Sequence, residues 1–201
     1  MLGRRDGLFF SRWLVNPLRT GAVVPSGSAL AQQMAAEVDL GRPGMVVELG
    51  GGTGVITQAL LDAGVEPRRL VVVEKDPELH RLLASRFPQV AVLLADATRL
   101  RSCLRRHRIG PLNSVVSSLP LLSMSERHQR VLLKNIFACL GDDGVMVQYT
   151  YGPRAPIAPA RLRLWGLVAR PVGRCWRNVP PATIWRLARR QAAVLRSAAA
   201  A

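Results

Sequence analysis

The feature that most constrains the fold of this chain is an apolar segment that runs directly into a cluster of glycines. Val46–Leu49 carries one acid, Glu48, among aliphatic residues, and glycine fills four of the five positions from 50 to 54. Glycine weakens strand and helix interiors, but it permits positive φ angles and a close approach of the backbone to a ligand. The segment therefore predicts a strand, Met45–Leu49, that ends in a cofactor-binding turn.

Strands and helices alternate after this turn. The periodicity predicts a helix at Val55–Gly64, a strand at Leu70–Glu74, a helix at Pro77–Phe87 and a strand at Val90–Leu94. Apolar strands joined by helices are typical of a parallel sheet that is covered on both faces. Ligands of such sheets bind at the carboxyl ends of the strands.

Acidic residues close three successive predicted strands, namely Glu48, Glu74 and Asp96. Glu74 is placed to accept hydrogen bonds from both hydroxyls of a ribose, Asp96 from an adenine amino group, and Glu48 attracts a cationic amino-acid end. Val55 stands where a dinucleotide fingerprint has its third glycine, which disfavours a nicotinamide cofactor.

The flanking elements are less regular. The pattern predicts the following order: a turn-rich connector Arg19–Ser28, a helix Ala29–Val38 capped by Ser26 or Ser28, a basic connector Arg99–His107, a strand Ser114–Ser118, a helix Ser125–Leu140, a strand Val145–Tyr149, and a loop with Pro153, Pro156 and Pro159. Leu167–Val172 and Thr183–Leu187 are predicted to close the sheet as an antiparallel pair, although the second segment also fits a helix.

The first residues form an amphipathic pattern. At a helical period, Phe9, Phe10, Trp13 and Leu14 share one face of residues 2–16 and arginines lie opposite, until Pro17 ends the element. An aromatic face beside arginines suits the interface of a bilayer, and it also suits a terminal helix that packs on its own domain. We therefore expect a helix in residues 1–17, interpreted as membrane-associating, and one domain in residues 18–201.

Composition narrows the partners. The formal net charge is +15, and only Lys75 and Lys134 of the 28 basic residues are lysines. A surface this basic attracts polyanions or anionic lipid head groups. Three widely spaced cysteines show no metal-binding spacing, so no metal is expected, and a reducing cytoplasmic setting fits best. No apolar run approaches the length of about 20 residues that a spanning helix needs.

The motifs E-L-G-G-G-T-G, V-V-V-E, A-D-A and S-S-L-P occur in this order and resemble those of the S-adenosylmethionine-dependent methyltransferases of the seven-stranded class. Within that class the chain resembles the bacterial phospholipid N-methyltransferases, which share T-G-A-V-V-P-S (Thr20–Ser26) and Q-Y-T-Y-G-P (Gln148–Pro153). The resemblance covers most of residues 8–190. It implies a Rossmann-like, mostly parallel seven-stranded sheet with helices on both faces, preceded by the amphipathic helix.

The resemblance also implies roles for single residues. The glycines border the methionine part of the cofactor, Glu74 binds ribose, Asp96 with the backbone of Ala97 reads adenine, and Ser26 reaches the carboxylate end. The implied cofactor-binding set is Ser26, Glu48, Gly50, Gly52, Gly54, Glu74, Lys75, Asp96, Ala97 and Ser117.

The implied reaction transfers methyl groups from S-adenosylmethionine to the head-group amine of phosphatidylethanolamine and its methylated intermediates, toward phosphatidylcholine, and releases S-adenosylhomocysteine. The expected acceptor residues are Ser118, Leu119, Pro120, Tyr149 and Tyr151. Candidates for the lipid phosphate are Arg154, Arg161, Arg163, Arg177 and Arg186. Such an enzyme is expected on the inner face of the cytoplasmic membrane, as a peripheral protein on anionic and zwitterionic phospholipid.

Two alternatives remain. The rRNA adenine dimethyltransferases have a similar motif order, but their acceptor loop reads N-L-P-Y or similar, with an amide for the adenine amino group and a ring that stacks on the extruded base. Here the loop reads Ser118-Leu119-Pro120-Leu121, which favours a small amine over a base, so no nucleic acid partner is expected. The second alternative is a non-catalytic membrane-surface protein.

Overall fold

Seven strands form one sheet at the centre of the structure, a computed structural model that describes residues 25–178 and 180–190. The strands are β1 (Met45–Leu49), β2 (Leu70–Glu74), β3 (Ala91–Leu94), β4 (Leu112–Ser117), β5 (Leu140–Tyr151), β6 (Leu167–Cys175) and β7 (Ala182–Arg189). Their spatial order is β3-β2-β1-β4-β5-β7-β6, and only β7 runs antiparallel to its neighbours. The predicted fold class is confirmed for these residues.

Six α-helices in the described part of the chain cover the sheet: α1 (Pro25–Ala35), α2 (Val55–Asp62), α3 (Pro77–Arg86), α4 (Leu100–Arg106), α5 (Glu126–Phe137) and α6 (Pro159–Leu164). Helices α1, α2 and α3 pack on one face of the sheet, and α4, α5 and α6 pack on the other. Successive strand residues point to opposite faces, so that Val46 joins the first core and Val47 the second. Burial on both faces explains why the central strands are apolar throughout.

Local sequence signals explain several element boundaries. The side chain of Asp76 accepts hydrogen bonds from the backbone N–H groups of Glu78 and Leu79, and Pro77 occupies the first turn of α3. Ser125 caps α5 in the same way through the N–H of His128. Strands β1 and β2 span the predicted residues.

Several boundaries differ from the prediction. The expected basic connector at Arg99–His107 contains α4, because Leu100 and Leu104 are one helical turn apart and both are buried. Helix α6 begins at Pro159, inside the expected proline loop. Helix α1 begins at Pro25 rather than at Ala29, so positions 26 and 28 lie inside the helix and not before it.

The end of α5 also differs from the prediction, whereas the closing pair of strands agrees with it. The predicted helix Ser125–Leu140 ends at Phe137, because Leu140 already begins β5. The antiparallel pair at the end of the sheet is confirmed, and its second segment is strand β7 rather than a helix.

The predicted amphipathic helix, with Phe9, Phe10, Trp13 and Leu14, lies outside the described residues. Within residues 25–178 and 180–190, no helix has the length and apolar character to cross a membrane.

Candidate active site

The glycine turn after β1 depends on left-handed backbone geometry. Gly50, Gly52 and Gly54 have φ angles of 79°, 54° and 85°. A side chain is strained in this region, which explains why the turn needs glycine. The N–H of Gly50 donates to the carbonyl of Val73 at 2.9 Å and therefore joins the turn to β2.

The glycines of this turn face different surroundings. A Cβ added at Gly51 would collide with Val72 and Leu83, and one added at Gly54 would collide with Phe87. A Cβ added at Gly52 would meet nothing within 4 Å. The turn is therefore packed tightly on its inner side and open at Gly52, where a ligand has room.

Glu74 connects the turns that follow β1 and β2. Its Oε2 accepts a hydrogen bond from the N–H of Gly52 at 3.0 Å, and its Oε1 accepts from the N–H groups of Lys75 and Asp76 at 2.8 and 2.9 Å. A carboxylate offers about four acceptor positions. Glu74 therefore organises the turn through three of them and retains capacity for a ligand hydroxyl.

Glu48 lies fully buried under the turn. Its Oε2 accepts a hydrogen bond from the hydroxyl of Thr57 at 2.6 Å, and Oε1 has no partner in the described part of the chain. Burial raises the pKa of Glu48 to about 8, against the lowering effect of Thr57, and the charge of Glu74 raises it further. The carboxyl group is therefore mostly protonated at neutral pH unless a cation approaches it.

Asp96 lies exposed at the end of β3. Its Oδ1 accepts hydrogen bonds from the hydroxyl and the N–H of Thr98 at 2.6 and 2.8 Å. These bonds, the hydroxyl one above all, lower the pKa of Asp96, and the charge of Lys75 on the neighbouring strand end also contributes. An ionised Asp96 and the start of the Ala97–Arg99 turn thus lie one strand beyond Glu74.

These residues fit one kind of ligand. The open space at Gly52 admits a ligand group that lies close to the backbone. Glu74 can accept hydrogen bonds from vicinal hydroxyls, and Asp96 can accept one from an exocyclic amine. The unpartnered Oε1 of Glu48 suits a cationic end. The arrangement predicted at the ends of β1, β2 and β3 is therefore compatible with the geometry.

The acceptor loop, Ser118–Leu122, follows β4 and lies against the glycine turn. The N–H of Ser118 donates to the carbonyl of Leu49 at 3.1 Å, and its hydroxyl donates to the carbonyl of Gly50 at 2.6 Å. A Cβ at Gly50 would stand 2.9 Å from that hydroxyl oxygen and 3.2 Å from Leu119. Glycine at position 50 therefore allows the acceptor loop to approach the turn.

Two buried glutamines hold the acceptor loop, and sequence reasoning did not single them out. The Nε2 of Gln148 on β5 donates to the carbonyls of Leu119 and Tyr149 at 3.1 and 2.9 Å. The Nε2 of Gln129 on α5 donates to the carbonyl of Leu121 at 2.7 Å. Each Oε1 is buried without a hydrogen-bond partner in the described residues.

A signal for Gln129 was present in the sequence. It shares the helical stripe of Leu132, Leu133 and Ile136, and a polar residue on a core-facing stripe indicates a buried hydrogen bond. Gln148 lies in the Q-Y-T-Y-G-P segment, in which the acceptor role was expected of the neighbouring tyrosines.

The tyrosines lie on the other face of β5 from Gln148. Tyr149 and Tyr151 pack against the core beneath α1, with ring centroids 5.5 Å apart and planes at 76°. Burial raises the pKa of both phenols, so they are neutral hydrogen-bonding groups at physiological pH. The structure therefore brings Gln148 to the acceptor loop, whereas the tyrosine pair packs on the α1 side of the sheet.

The other expected residues have simpler surroundings. Ser26 lies in the first turn of α1, and Lys75 is exposed beyond β2. Ser117 is buried and accepts a hydrogen bond from the N–H of Leu119 at 3.3 Å, while Pro120 precedes the short turn Leu121–Ser123. Among the residues that the structure describes, no group of three or more side chains is arranged to hold a metal ion.

Comparisons with known proteins place this geometry among methyltransferases. No protein-family model matches the chain. The ornithine lipid N-methyltransferase of Singulisphaera acidiphila is 31% identical over 149 residues, which cover 73% of this chain and 78% of that protein. The ribosomal RNA small subunit methyltransferase A of Maridesulfovibrio salexigens is 31% identical over 70 residues, 35% of this chain and 26% of that protein.

Solved structures agree on the architecture. The glycopeptide N-methyltransferase MtfA has a TM-score of 0.61 at 15% identity, over 81% of this chain and 94% of its own. The magnesium protoporphyrin IX methyltransferase of Synechocystis PCC 6803 has a TM-score of 0.61 at 12% identity, over 94% and 99%. At these identities the likeness establishes the seven-stranded fold.

Proposed function

Because this chain belongs to the family of the ornithine lipid N-methyltransferase and is an S-adenosylmethionine-dependent N-methyltransferase, we propose that it methylates the head-group amine of phosphatidylethanolamine. The methylated intermediates are further substrates, and the final product is phosphatidylcholine. One observation carries this proposal: an acceptor loop without an aromatic ring is hydrogen-bonded to the glycine turn through Ser118 and Gly50.

S-adenosylmethionine supplies an electrophilic methyl group when it is bound. The residues that would hold it are those at the first three strand ends: Glu74 for the ribose hydroxyls, Asp96 and the backbone of Ala97 for adenine, and Glu48 near the cationic end. Ser26, Lys75 and Ser117 are the remaining proposed contacts. The open position at Gly52 supports this assignment, because no side chain fills that space.

The acceptor residues act by positioning and desolvation. A primary ammonium such as that of lysine, with a pKa of about 10.4, has no lone pair for attack until it loses a proton, and burial favours the neutral amine. The carbonyl of Leu119 is fixed by Gln148 and can orient an amine hydrogen, as can the backbone of Ser118 and Pro120. Tyr149 and Tyr151 contribute electron-rich rings that stabilise methylated cations.

The geometry disfavours an extruded base as the acceptor. Leu121 stands where the rRNA enzymes carry a ring, and it is only 1% exposed because it packs in the core beside α5. A buried leucine offers no stacking surface, and base-specific enzymes need one. The rRNA methyltransferase match covers 35% of this chain, so it does not outweigh this observation.

A second lipid is favoured by one observation. The Singulisphaera relative is an ornithine lipid N-methyltransferase, and ornithine lipid also presents a primary amine. The acceptor loop binds its substrate through backbone carbonyls, and these do not distinguish one lipid amine from another. Ornithine lipid is therefore the comparison substrate for any assay.

Membrane association at the inner face of the cytoplasmic membrane belongs to the same proposal. The net charge of +15 favours anionic lipid surfaces. At the end of β6, Trp176 is 67% exposed, and the guanidinium of Arg174 lies 4.0 Å from the centre of its ring. Exposed tryptophan beside arginine suits the lipid interface. The amphipathic segment 1–17 would act beside the domain in residues 18–201.

The test uses purified protein with methyl-labelled S-adenosylmethionine and three acceptors: phosphatidylethanolamine in phosphatidylglycerol vesicles, ornithine lipid in the same vesicles, and ribosomal RNA. We expect label in the phosphatidylethanolamine products. Label in ornithine lipid alone would reassign the substrate, and label in RNA alone would establish the nucleic-acid alternative. Vesicle binding without transfer to any acceptor would support a non-catalytic surface protein.

The amphipathic segment has its own test. The triple variant Phe9→Ser/Phe10→Ser/Trp13→Ser is expected to lose vesicle flotation and to keep the wild-type affinity for S-adenosylhomocysteine. Loss of both properties would show instead that this segment packs as part of the domain core.

A further inference from the structure

A cleft of about 740 Å³ lies between the acceptor loop, α6 and the strands β6 and β7. We infer that this cleft binds the phosphate of the phospholipid substrate, through Arg154 and Arg163, and the adjoining part of its acyl chains. The inference rests on the proposed function and assigns a second half to the acceptor site. Nothing in the sequence pattern indicated this cleft, because its walls come from four separate segments.

The walls of the cleft are apolar and begin where the acceptor loop ends. Leu122 in the acceptor loop and Met124 just after it line the cleft, together with Leu162, Leu167 and Trp185. Leu122 remains 50% exposed, so apolar surface continues from the cleft to the outside. A hydrocarbon segment that entered here would leave water for an apolar contact, which is favourable in proportion to the apolar area that it buries.

The charge of the lining selects an anion. Three arginines line the cleft, and no carboxylate side chain does so among the described residues. Arg161 forms an ion pair with Glu126 at 3.1 Å. Arg154 and Arg163 form no ion pair within residues 25–178 and 180–190, and both are exposed to solvent. They are therefore available for a phosphate, which guanidinium groups bind with two parallel hydrogen bonds.

The same comparison ranks the five arginines that the sequence left equal. Arg186 pairs with Glu37 at 3.6 Å, and Arg161 is paired as described. Arg177 lies in the turn after β6 and does not line the cleft. Arg154 and Arg163 remain as the phosphate ligands.

Gln129 supplies a polar group to the cleft. Its side chain is 4% exposed and lines the cleft, and its Nε2 is occupied by the carbonyl of Leu121. Its Oε1 is a buried acceptor without a partner in the described residues, which is costly unless a ligand donor fills it. The cleft thus offers cations for the phosphate and apolar walls for the chains, while the amine lies against the carbonyls of the acceptor loop.

The size of the cleft is consistent with this division. Ligand pockets of about 300–1,000 Å³ hold molecules of drug size. A volume of about 740 Å³ therefore takes the head group and the first part of the acyl chains, while the remainder stays in the membrane.

The test separates the cleft from the vesicle surface by using a monomeric lipid. Dihexanoylphosphatidylethanolamine, below its aggregation concentration and with S-adenosylhomocysteine present, is titrated into the whole protein by calorimetry. The variant Arg154→Ala/Arg163→Ala is expected to bind it at least about tenfold more weakly. The control Arg101→Ala/Arg105→Ala removes the same charge from the exposed side of α4 and is expected to retain wild-type affinity.

Dihexanoylglycerol, which has the same chains without the phosphoethanolamine head group, is expected to bind the wild type at least about tenfold more weakly than the phospholipid, and the arginine variant is expected to bind the two lipids about equally. A second variant, Ala169→Trp, fills the cleft from β6 without removing a charge, and it should lose binding of both lipids. Thermal melting and the affinity for S-adenosylhomocysteine report whether each variant is folded.

Wild-type affinity in the arginine variant, or equal binding of the two lipids by the wild type, would overturn the inference. A wild type that methylates vesicles but does not bind the monomeric lipid would also overturn it and leave the proposed function intact. A wild type that methylates no lipid amine would refute the proposed function itself.

Discussion

The two halves of the sheet build their sites by different means. In the cofactor half, β1 to β3, backbone geometry makes the site: three glycines at positive φ, and a carboxylate, Glu74, that binds backbone N–H groups. In the acceptor half, β4 to β7, side chains from α5 and β5 hold a loop by its carbonyls. A backbone-made site leaves a glycine pattern in the sequence, whereas a side-chain-made site depends on which elements meet in space.

The largest expected effect comes from Glu74→Ala. It removes the acceptor of three backbone N–H groups and the proposed ribose ligand, so the affinity for S-adenosylhomocysteine should fall at least about 100-fold by calorimetry. Glu66→Ala removes the same charge from an exposed position before β2 and should not change the affinity. Unchanged affinity in Glu74→Ala would refute the ribose role.

The next prediction separates two neighbouring glycines. Gly51→Ala places a Cβ against Val72 and Leu83 and should lower the free energy of unfolding by about 2 kcal/mol in urea titrations. Gly52→Ala meets open space and should lower it by only about 1 kcal/mol, through its positive φ.

Cofactor affinity should respond in the reverse order. The Cβ of Gly52→Ala projects into the space assigned to the cofactor. This variant should therefore bind S-adenosylhomocysteine about tenfold more weakly than the wild type, a larger loss than in Gly51→Ala. Equal effects of the two variants on affinity would contradict an open cofactor face at Gly52.

The acceptor half is tested by Gln148→Met. The substitution keeps the length of the side chain but removes the donor to the carbonyl of Leu119, so methyl transfer to lipid should slow by about tenfold. Affinity for S-adenosylhomocysteine should stay within about twofold of wild type. The exposed Gln58→Met on α2 is the matched control. A similar loss of affinity for S-adenosylhomocysteine in Gln148→Met would show that the acceptor half also contributes to cofactor binding.

The smallest effect is a pH dependence of stability from Glu48. Its pKa is raised in the folded state from 4.5 to about 8, so the folded protein binds more protons than the unfolded chain between these values. Stability should therefore fall as pH rises through this window, by about 1 kcal/mol from about pH 6 to about pH 7. Urea unfolding of Glu48→Gln should lack this contribution. The same slope in both proteins would place the titrating group elsewhere.

Much of the cofactor half was predictable. Strands β1 and β2, the glycine turn and the acids at three strand ends follow from residues close together in sequence, because each strand leads directly into its own turn. The helical stripe indicates that Gln129 is buried and hydrogen-bonded, but the carbonyls that Gln129 and Gln148 bind were not predictable, because only the fold brings each glutamine to its partner. Helix α4 was not predicted, because its three arginines dominate the pattern and only two leucines, Leu100 and Leu104, form its buried face.

By itself, the sequence determined an α/β sheet with a nucleotide-type turn at its first strand, since apolar periodicity and glycine placement are local properties of the chain. It also placed the acidic residues at the correct strand ends. Only the tertiary structure decided that Glu48 is buried and mostly neutral, that two glutamines hold the acceptor loop, and that Arg154 and Arg163 border an apolar cleft. The protonation state of Glu48, the hydrogen-bond partners of the glutamines and the walls of the cleft depend on residues far apart in sequence, and no local pattern specifies them.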